Sequence, residues 1–448
     1  MKRLALFALA VLVGCGGMSL SGQRRSGNPH PGPGNPIMGR QRTTGFEVGL
    51  GDAALDGIRL AGAPVLQTTV VHSGSKAVKC DTGAGSAQQG IDVGNVTFND
   101  GTIYYSRSFF YFENFPVTSW PVFTIHSLSG TDIAFATLFS DASIELGVNG
   151  TPHVARSAAG LIPTNTWVRI EIALKTVVGV GDYAELSVNG VSVGSISGAT
   201  IADSIGIPQV YLGWMNASGA GTPGANKVCY IDDYAVNDSS GSTQNFWPGE
   251  GKIVWDPAVS DNARGANWLD GGGGTTNLFS AVDNNPPVGS GTPAAGTQVK
   301  NTAKDTTGNY DANLQTYANI GIQSADQIVL VHPVFNIGAT KSVTGAEQFV
   351  SNPTGPAETS IDFFAGAAAG TWPTNWRTDW LAAIVGDISQ ANRTVNPVIR
   401  IGKRQSSTNA AYCDLMGAYV EYISGPLAPY HRSAEPDRPP RKKIHIGY

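Results

Sequence analysis

A chain of 448 residues with 56 glycines and 26 prolines, but only 14% charged residues, is rich in turn formers and poor in the Glu, Lys and Arg that long amphipathic helices need. Few helices are expected, and the length suits two large domains. The formal net charge of -5 is small for this size, so no global field argues for nucleic acid or an acidic membrane surface.

At the N-terminus Lys2 and Arg3 precede an apolar run over residues 4–13, which is too short to span a bilayer and suits a signal peptide. Leu12-Val13-Gly14-Cys15 follows it and resembles a bacterial lipobox, which implies lipidation at Cys15. An ordinary signal sequence with a chance cysteine, or an extension upstream of a true start at Met38, fits the same residues. Residues 19–42, dominated by Pro, Gly and Arg, cannot build a core and read as a disordered tether ahead of residue 44.

From Thr44 the pattern changes to TTGFEVG, SGSKAVKCDT, TIYYSRSFFYFENF, PVFTIHSL, DIAFATLFSD, SIELGVNGTPHVA, TWVRIEIALKT, YAELSVNGVSVGS and QVYLGWMN. About ten short strands, with Asn-Gly turns at Asn149-Gly150 and Asn189-Gly190, fit an antiparallel sandwich. YIDDYAV, residues 230–236, closes the series. Strict alternation places Tyr230, Asp232 and Tyr234 on one face and Ile231, Asp233 and Ala235 on the other. The order GFE, SGSKAV, NTWVRIEIAL, AELSVNGVSVGS, YIDDYAV resembles the concanavalin A-like lectin/glucanase (laminin G-like) jelly roll, which implies such a domain over residues 44–240.

Glucanases on that fold gather carboxylates on one strand as Glu-x-Asp-x-x-Glu, and no such arrangement exists here. Glu145, Glu171 and Glu185 stand singly and read as solvated strand-face charges. Gly190-Val191-Ser192-Val193-Gly194 matches a nucleophile elbow as a string, but it lies in a hairpin, without the strand-turn-helix the elbow requires. The resemblance implies a structural calcium between Glu47, in Gly45-Phe46-Glu47, and Asp232 in the closing strand. Hard oxygen ligands there would tie the first and last strands together; otherwise both acids cap turns or face solvent. Cys80 and Cys229 lie in predicted strands of one domain, where a bridge and two buried thiols are both open, and Cys413 reads as core. Sugar rings stack on exposed aromatic faces, which makes Trp120, Tyr104, Tyr105 and Trp214 the candidate carbohydrate contacts. Trp167 reads as core.

Past residue 245 the chain continues with GKIVWDPA, ANWLDGGGG, DQIVLVHPVFNIG, WPTNWRTDW, NPVIRIGKRQ and AYCDLMGAYVEYI. In order, Ile231-Asp232-Asp233, Asn237-Asp238-Ser239-Ser240-Gly241, Trp268, Val282-Asp283-Asn284-Asn285-Pro286-Pro287, Ile328 to Val331, Trp376 to Ile384 and Tyr419-Val420-Glu421-Tyr422 resemble a module of tailed-phage virion proteins. Alternation predicts a second sandwich over residues 245–425, separable from the first. The spacing of Trp372, Trp376 and Trp380 predicts a short helix with its indoles on one side. Residues 426–448 are Pro-rich and basic and read as a disordered tail.

The fold expectation is thus all-β, with two antiparallel jelly-roll-like sandwiches between a disordered tether and tail. Three functions follow. The first is a non-enzymatic phage virion protein (head fibre, decoration or tail-associated) that binds other virion proteins or itself, with a lectin-like domain for glycans. The second is a bacterial surface lipoprotein that binds polysaccharide and meets the membrane only through Cys15. The third, a polysaccharide lyase or glycosidase, lacks a legible cluster of His, Tyr, Arg and carboxylates. No specific nucleic-acid partner is expected.

Overall fold

A computed structural model of the chain describes residues 39–50, 58–93, 99–127, 131–177, 181–199, 201, 209–215, 221–240, 244–283, 298–303, 308–339, 343–350, 359–363, 377–380, 396–403 and 410–425. Cys15, Trp372, Trp376 and the basic tail lie outside them.

The first half contains β1 (Arg40–Thr44), β2 (Ile58–Ala61), β3 (Val65–Gln67), β4 (Ala77–Asp81), β5 (Gln89–Asp92), β6 (Ile103–Phe112), β7 (Ser119–His126) and β8 (Asp132–Phe139). It continues through β9 (Ile144–Val148), β10 (Thr151–Arg156), β11 (Trp167–Lys175), β12 (Asp182–Val188), β13 (Val191–Ala199), β14 (Gln209–Trp214) and β15 (Val228–Asp238). These form an eight-stranded sheet, β13-β12-β11-β6-β15-β4-β3 with β1 also on β15, and a seven-stranded sheet, β10-β9-β8-β7-β14-β5-β2. Alternate residues of each strand face the core between them. Val168, Ile170, Ile172 and Leu174 from β11 join Phe110 and Phe112 from β6, and meet Phe123 and Ile125 from β7. Each such side chain contributes about 1.5–3 kcal/mol by leaving water. The β12–β13 hairpin turns on Asn189 (φ 50) and Gly190 (φ 79), the two left-handed positions of a type I′ turn.

The closing strand departs from strict alternation. Asp233 sits at φ 49, and the pairing of β15 with β6 slips between Asp232 and Ala235, a bulge that inserts one residue. Ile231, Tyr234 and Val236 consequently share the core face, so Tyr234 lies opposite to where period-2 counting puts it. Both aspartates are fully buried.

The second half contains β16 (Lys252–Arg264), β17 (Trp268–Asp270), β18 (Val299–Asn301), β19 (Asn309–Leu314), β20 (Gln327–Ala339), β21 (Val343–Val350), β22 (Thr359–Phe363), β23 (Arg377–Trp380), β24 (Val398–Lys403) and β25 (Ala411–Ile423), with a 3-10 turn at Leu278–Ala281. Long β16 serves both layers of this sandwich. Lys252 to Pro257 pair with β25, and Ala258 to Arg264 pair with β19. Pro257, which has no N–H to give a ladder, stands at the changeover. Trp268, Tyr310, Phe335, Ile399 and Met416 fill the space between the layers. Trp380 lies on a strand that pairs with β20, not on the expected helix.

The second half docks on the outward side of the eight-stranded sheet. Arg40 of β1 and Arg107 of β6 reach Glu421 of β25 at 2.5 and 2.8 Å, and all three side chains are fully buried. The Ile253 N–H donates to Asp233 Oδ1 at 3.0 Å, and Val48, Ile253, Val334, Leu415 and Tyr419 form an apolar cluster beside it. Arg40 and Arg42, read from sequence as tether, are therefore part of the fold. Arg40 also donates to Asn237 Oδ1 at 2.6 Å, so β1 is held on both sides.

Candidate functional site

Glu47 and Asp232, the expected calcium ligands, are both buried and share one loop, residues 72–76. Glu47 accepts hydrogen bonds from the Ser75 N–H (2.6 Å), the Ser75 hydroxyl (2.5 Å) and the Lys76 N–H (3.1 Å). Asp232 Oδ2 accepts from the N–H groups of His72 (2.9 Å) and Ser73 (3.3 Å). Asp233 takes the Ser73 hydroxyl at 2.7 Å and lies 2.5 Å from His72 Nδ1. Burial pushes Glu47 up to about 7. It pushes Asp232 well above the carboxylate range, with the charges of Asp233 and Glu47 acting the same way. The donor chemistry suits a hard cation, but the oxygens are already occupied by N–H and O–H groups. Among the described residues no group of three or more His, Cys, Asp and Glu side chains is placed to hold a metal ion.

The four expected sugar-stacking rings belong to the interior. Trp214 is 0%, Tyr104 1%, Trp120 5% and Tyr105 6% exposed. Trp120, Trp214 and Tyr104 pack into the first core, and Tyr105 is covered by Phe246 and Trp247, each 5.1 Å from it between ring centroids. None offers a free face, so the expectation is corrected. Apolar strands bury aromatics first, and sequence carries no sign of which ring is left out. Glu145 and Glu171 are corrected too. Glu171 is buried beside Arg169 (2.9 Å) and Glu145 beside His153 (2.6 Å).

The outward side of the seven-stranded sheet brings together residues that sequence alone left scattered. His126 at the end of β7 stacks on Tyr211 of β14, with centroids 4.9 Å apart and planes 23° apart. The Tyr211 hydroxyl donates to Gln209 Oε1 at 2.9 Å, and Gln209 Nε2 donates to Asp92 Oδ2 of β5 at 3.2 Å. Asp132 of β8 completes the group, 3.9 Å from His126 Nε2. Register explains the convergence: Gln209 pairs with His126, which pairs with Asp132, and Asp92 pairs with Tyr211. Burial raises Asp132 despite the neighbouring His126. Burial, Asp92 and Asp132 push the Tyr211 hydroxyl up to about 12, so it stays a hydrogen-bond donor at neutral pH. Both His126 ring nitrogens and Asp132 Oδ1 are buried without a hydrogen-bond partner in the structure. Such groups are costly to leave unpaired and favour a polar ligand.

The chain is similar to solved structures of an endo-beta-1,4-glucuronan lyase from the fungus Trichoderma reesei (15% identity, 44% of this chain and 95% of that one, TM-score 0.34) and of the cellulose induced protein Cip1 (18%, 45% and 99%, 0.32). It is also similar to the alginate lyase vAL-1 from Chlorella virus (13%, 41% and 93%, 0.30). These are proteins of the concanavalin A-like lectin/glucanase fold. No family model and no curated protein matches the sequence.

The sequence did hold a faint trace of the outward group. In PVFTIHSL and QVYLG, polar residues or tyrosine occupy the positions that alternate with apolar ones, and these are the outward positions of a half-buried sheet. Their meeting depends on β14 lying between β5 and β7, a neighbourhood set by topology and not by sequence distance.

Proposed function

We propose that this is a non-enzymatic glycan-binding protein carried on a tailed-phage particle, with the outward side of the seven-stranded sheet as its ligand face. The observation that carries the binding role is the His126, Tyr211, Gln209, Asp92 and Asp132 group, on the sheet opposite the one that carries the second half. Carboxylates and an amide accept and donate to sugar hydroxyls, and an aromatic stack supports the apolar side of a ring. Asp92 and Asp132 favour a neutral sugar over a uronate. The particle role draws on the order of motifs from Ile231 to Tyr422, and it makes other virion proteins or further copies of the chain the partners. A cell-surface lipoprotein anchored at Cys15 is the alternative location. Peptides from residues 1–14 in purified particles would exclude it, and a diacylated Cys15 would establish it.

The binding test is affinity electrophoresis or calorimetry of the whole chain with neutral glucans and with uronate polymers. The neutral polymer should bind, and Tyr211→Ala should weaken it at least about tenfold with the circular dichroism unchanged. Equal binding by the Tyr211→Ala protein would remove this face.

A lyase reading draws on His126 as the base, its ring nitrogens buried without a hydrogen-bond partner and Nε2 3.9 Å from Asp132. Elimination from a uronate also needs its carboxylate neutralised, and among the described residues no Arg or Lys is hydrogen-bonded into this group. No unsaturated product is therefore expected from alginate or glucuronan. Turnover abolished by His126→Ala would reverse the non-enzyme reading.

Calcium at Glu47 and Asp232 belongs to this proposal as a structural ion only. An ion there would have to replace the N–H and O–H groups of residues 72–76 from which Glu47 and Asp232 accept hydrogen bonds.

A further inference from the structure

We propose that Cys80 and Cys229 are the site of a cross-strand disulfide, closed when the chain folds in an oxidising compartment. The two residues stand directly opposite in the antiparallel pairing of β4 with β15, without a register shift. The next pair but one, Thr82 and Lys227, is joined by a backbone hydrogen bond at 3.0 Å, which makes the cysteines a hydrogen-bonded pair as well. Opposite residues of that kind have Cα atoms about 5.5 Å apart, inside the range a disulfide spans. Both are fully buried and both face the first core. Gly213 on the facing sheet leaves room for sulfur: a Cβ there would sit 2.9 Å from Cys80 Sγ. Cys413 lies in the other core, away from this pair.

The chemistry requires an external oxidant, taken here as a small-molecule or protein disulfide. A thiolate of one cysteine attacks it, forming a mixed disulfide and releasing one thiol. The second thiolate then displaces the other half, so the S–S bond forms, two protons leave the protein thiols and the oxidant is reduced to two thiols. In the folded state burial and the adjacent Cys80 hold the Cys229 thiol well above its usual range. Thiolate is the nucleophile, so exchange belongs to the folding chain, and the native reduced pair should resist it. Compartment then decides the outcome. A chain exported through the signal-like segment should carry the bridge, and one assembled into particles in the cytosol should not.

The test is refolding of the full chain in a mixture of reduced and oxidised glutathione, followed by alkylation in denaturant and peptide mapping. The expected result is one cross-linked peptide pair containing Cys80 and Cys229, with Cys413 alkylated. The melting temperature should lie about 10 °C above that of protein refolded in reductant. Folded protein with both cysteines alkylated would overturn the proposal, and so would a bridge from either to Cys15 or Cys413. Both outcomes are independent of any glycan binding.

Discussion

Glu47 keeps a carboxyl raised by burial to about 7, against the lowering hydrogen bonds of Ser75 and Lys76. An acid that holds its proton more tightly when folded stabilises the fold fully below its unfolded value near 4.5, and loses that contribution as pH rises through about 7. The loss is on the order of 3 kcal/mol. In chelator, the melting temperature should therefore fall between pH 5 and 7.5, and Glu47→Gln should flatten the trend. Calcium predicts the opposite slope, because it binds the carboxylate and stabilises more as the proton leaves. Melting at pH 7.5 with and without calcium separates the two, and an unchanged curve removes the ion. Glu47 and Asp232 were legible as candidate acids from the GFE and YIDDYAV segments, through the resemblance alone. The loop of N–H donors at residues 72–76 was not, since Ser-Gly-Ser reads only as a turn.

Among the elements, strands were the legible part and their irregularities were not. Alternation in TWVRIEIALKT and the Asn-Gly hairpin at Asn189 mark β11 to β13 well. The bulge at Asp233 has no signature beyond an aspartate's tolerance of the left-handed region. The second sandwich shows the same limit at Gly417. Trp255 of β16 lies over it, so a Cβ there would fall 2.2 Å from the indole and 2.8 Å from the Asp256 carbonyl. Gly417→Ala should cost about 1–3 kcal/mol through overpacking. Trp255→Leu in the same chain should recover part of it, and chemical denaturation of the single and double variants measures both. Of Trp372, Trp376 and Trp380 only Trp380 is among the described residues, and it closes a strand where the spacing predicted a helix.

For the whole molecule, the two sandwiches were expected to separate, and the buried Arg40, Arg107 and Glu421 set argues for shared melting. Burial alone would raise Glu421, and the two guanidiniums more than reverse this, holding it below its usual range. Its contribution is present above pH 4.5 and is lost as pH falls below that value. Glu421→Ala leaves two arginines buried without their carboxylate, at a cost of about 3–5 kcal/mol. Calorimetry should show one transition for the wild type and two for the variant, with proteolysis opening between the halves only in the variant. Two transitions in the wild type would restore independent domains. No sequence signal marks a Glu in AYVEYI as the partner of an Arg that lies 381 residues away. The same Arg40 contact bears on mechanics. Any anchor upstream of Gly39, whether lipid or particle, pulls on β1, which is bonded to β15 in the first sandwich and through Arg40 to β25 in the second. Tension is thereby divided between both bodies at the point of attachment, so a tug on the leash draws the assembly as one piece, without peeling the first sandwich from the second.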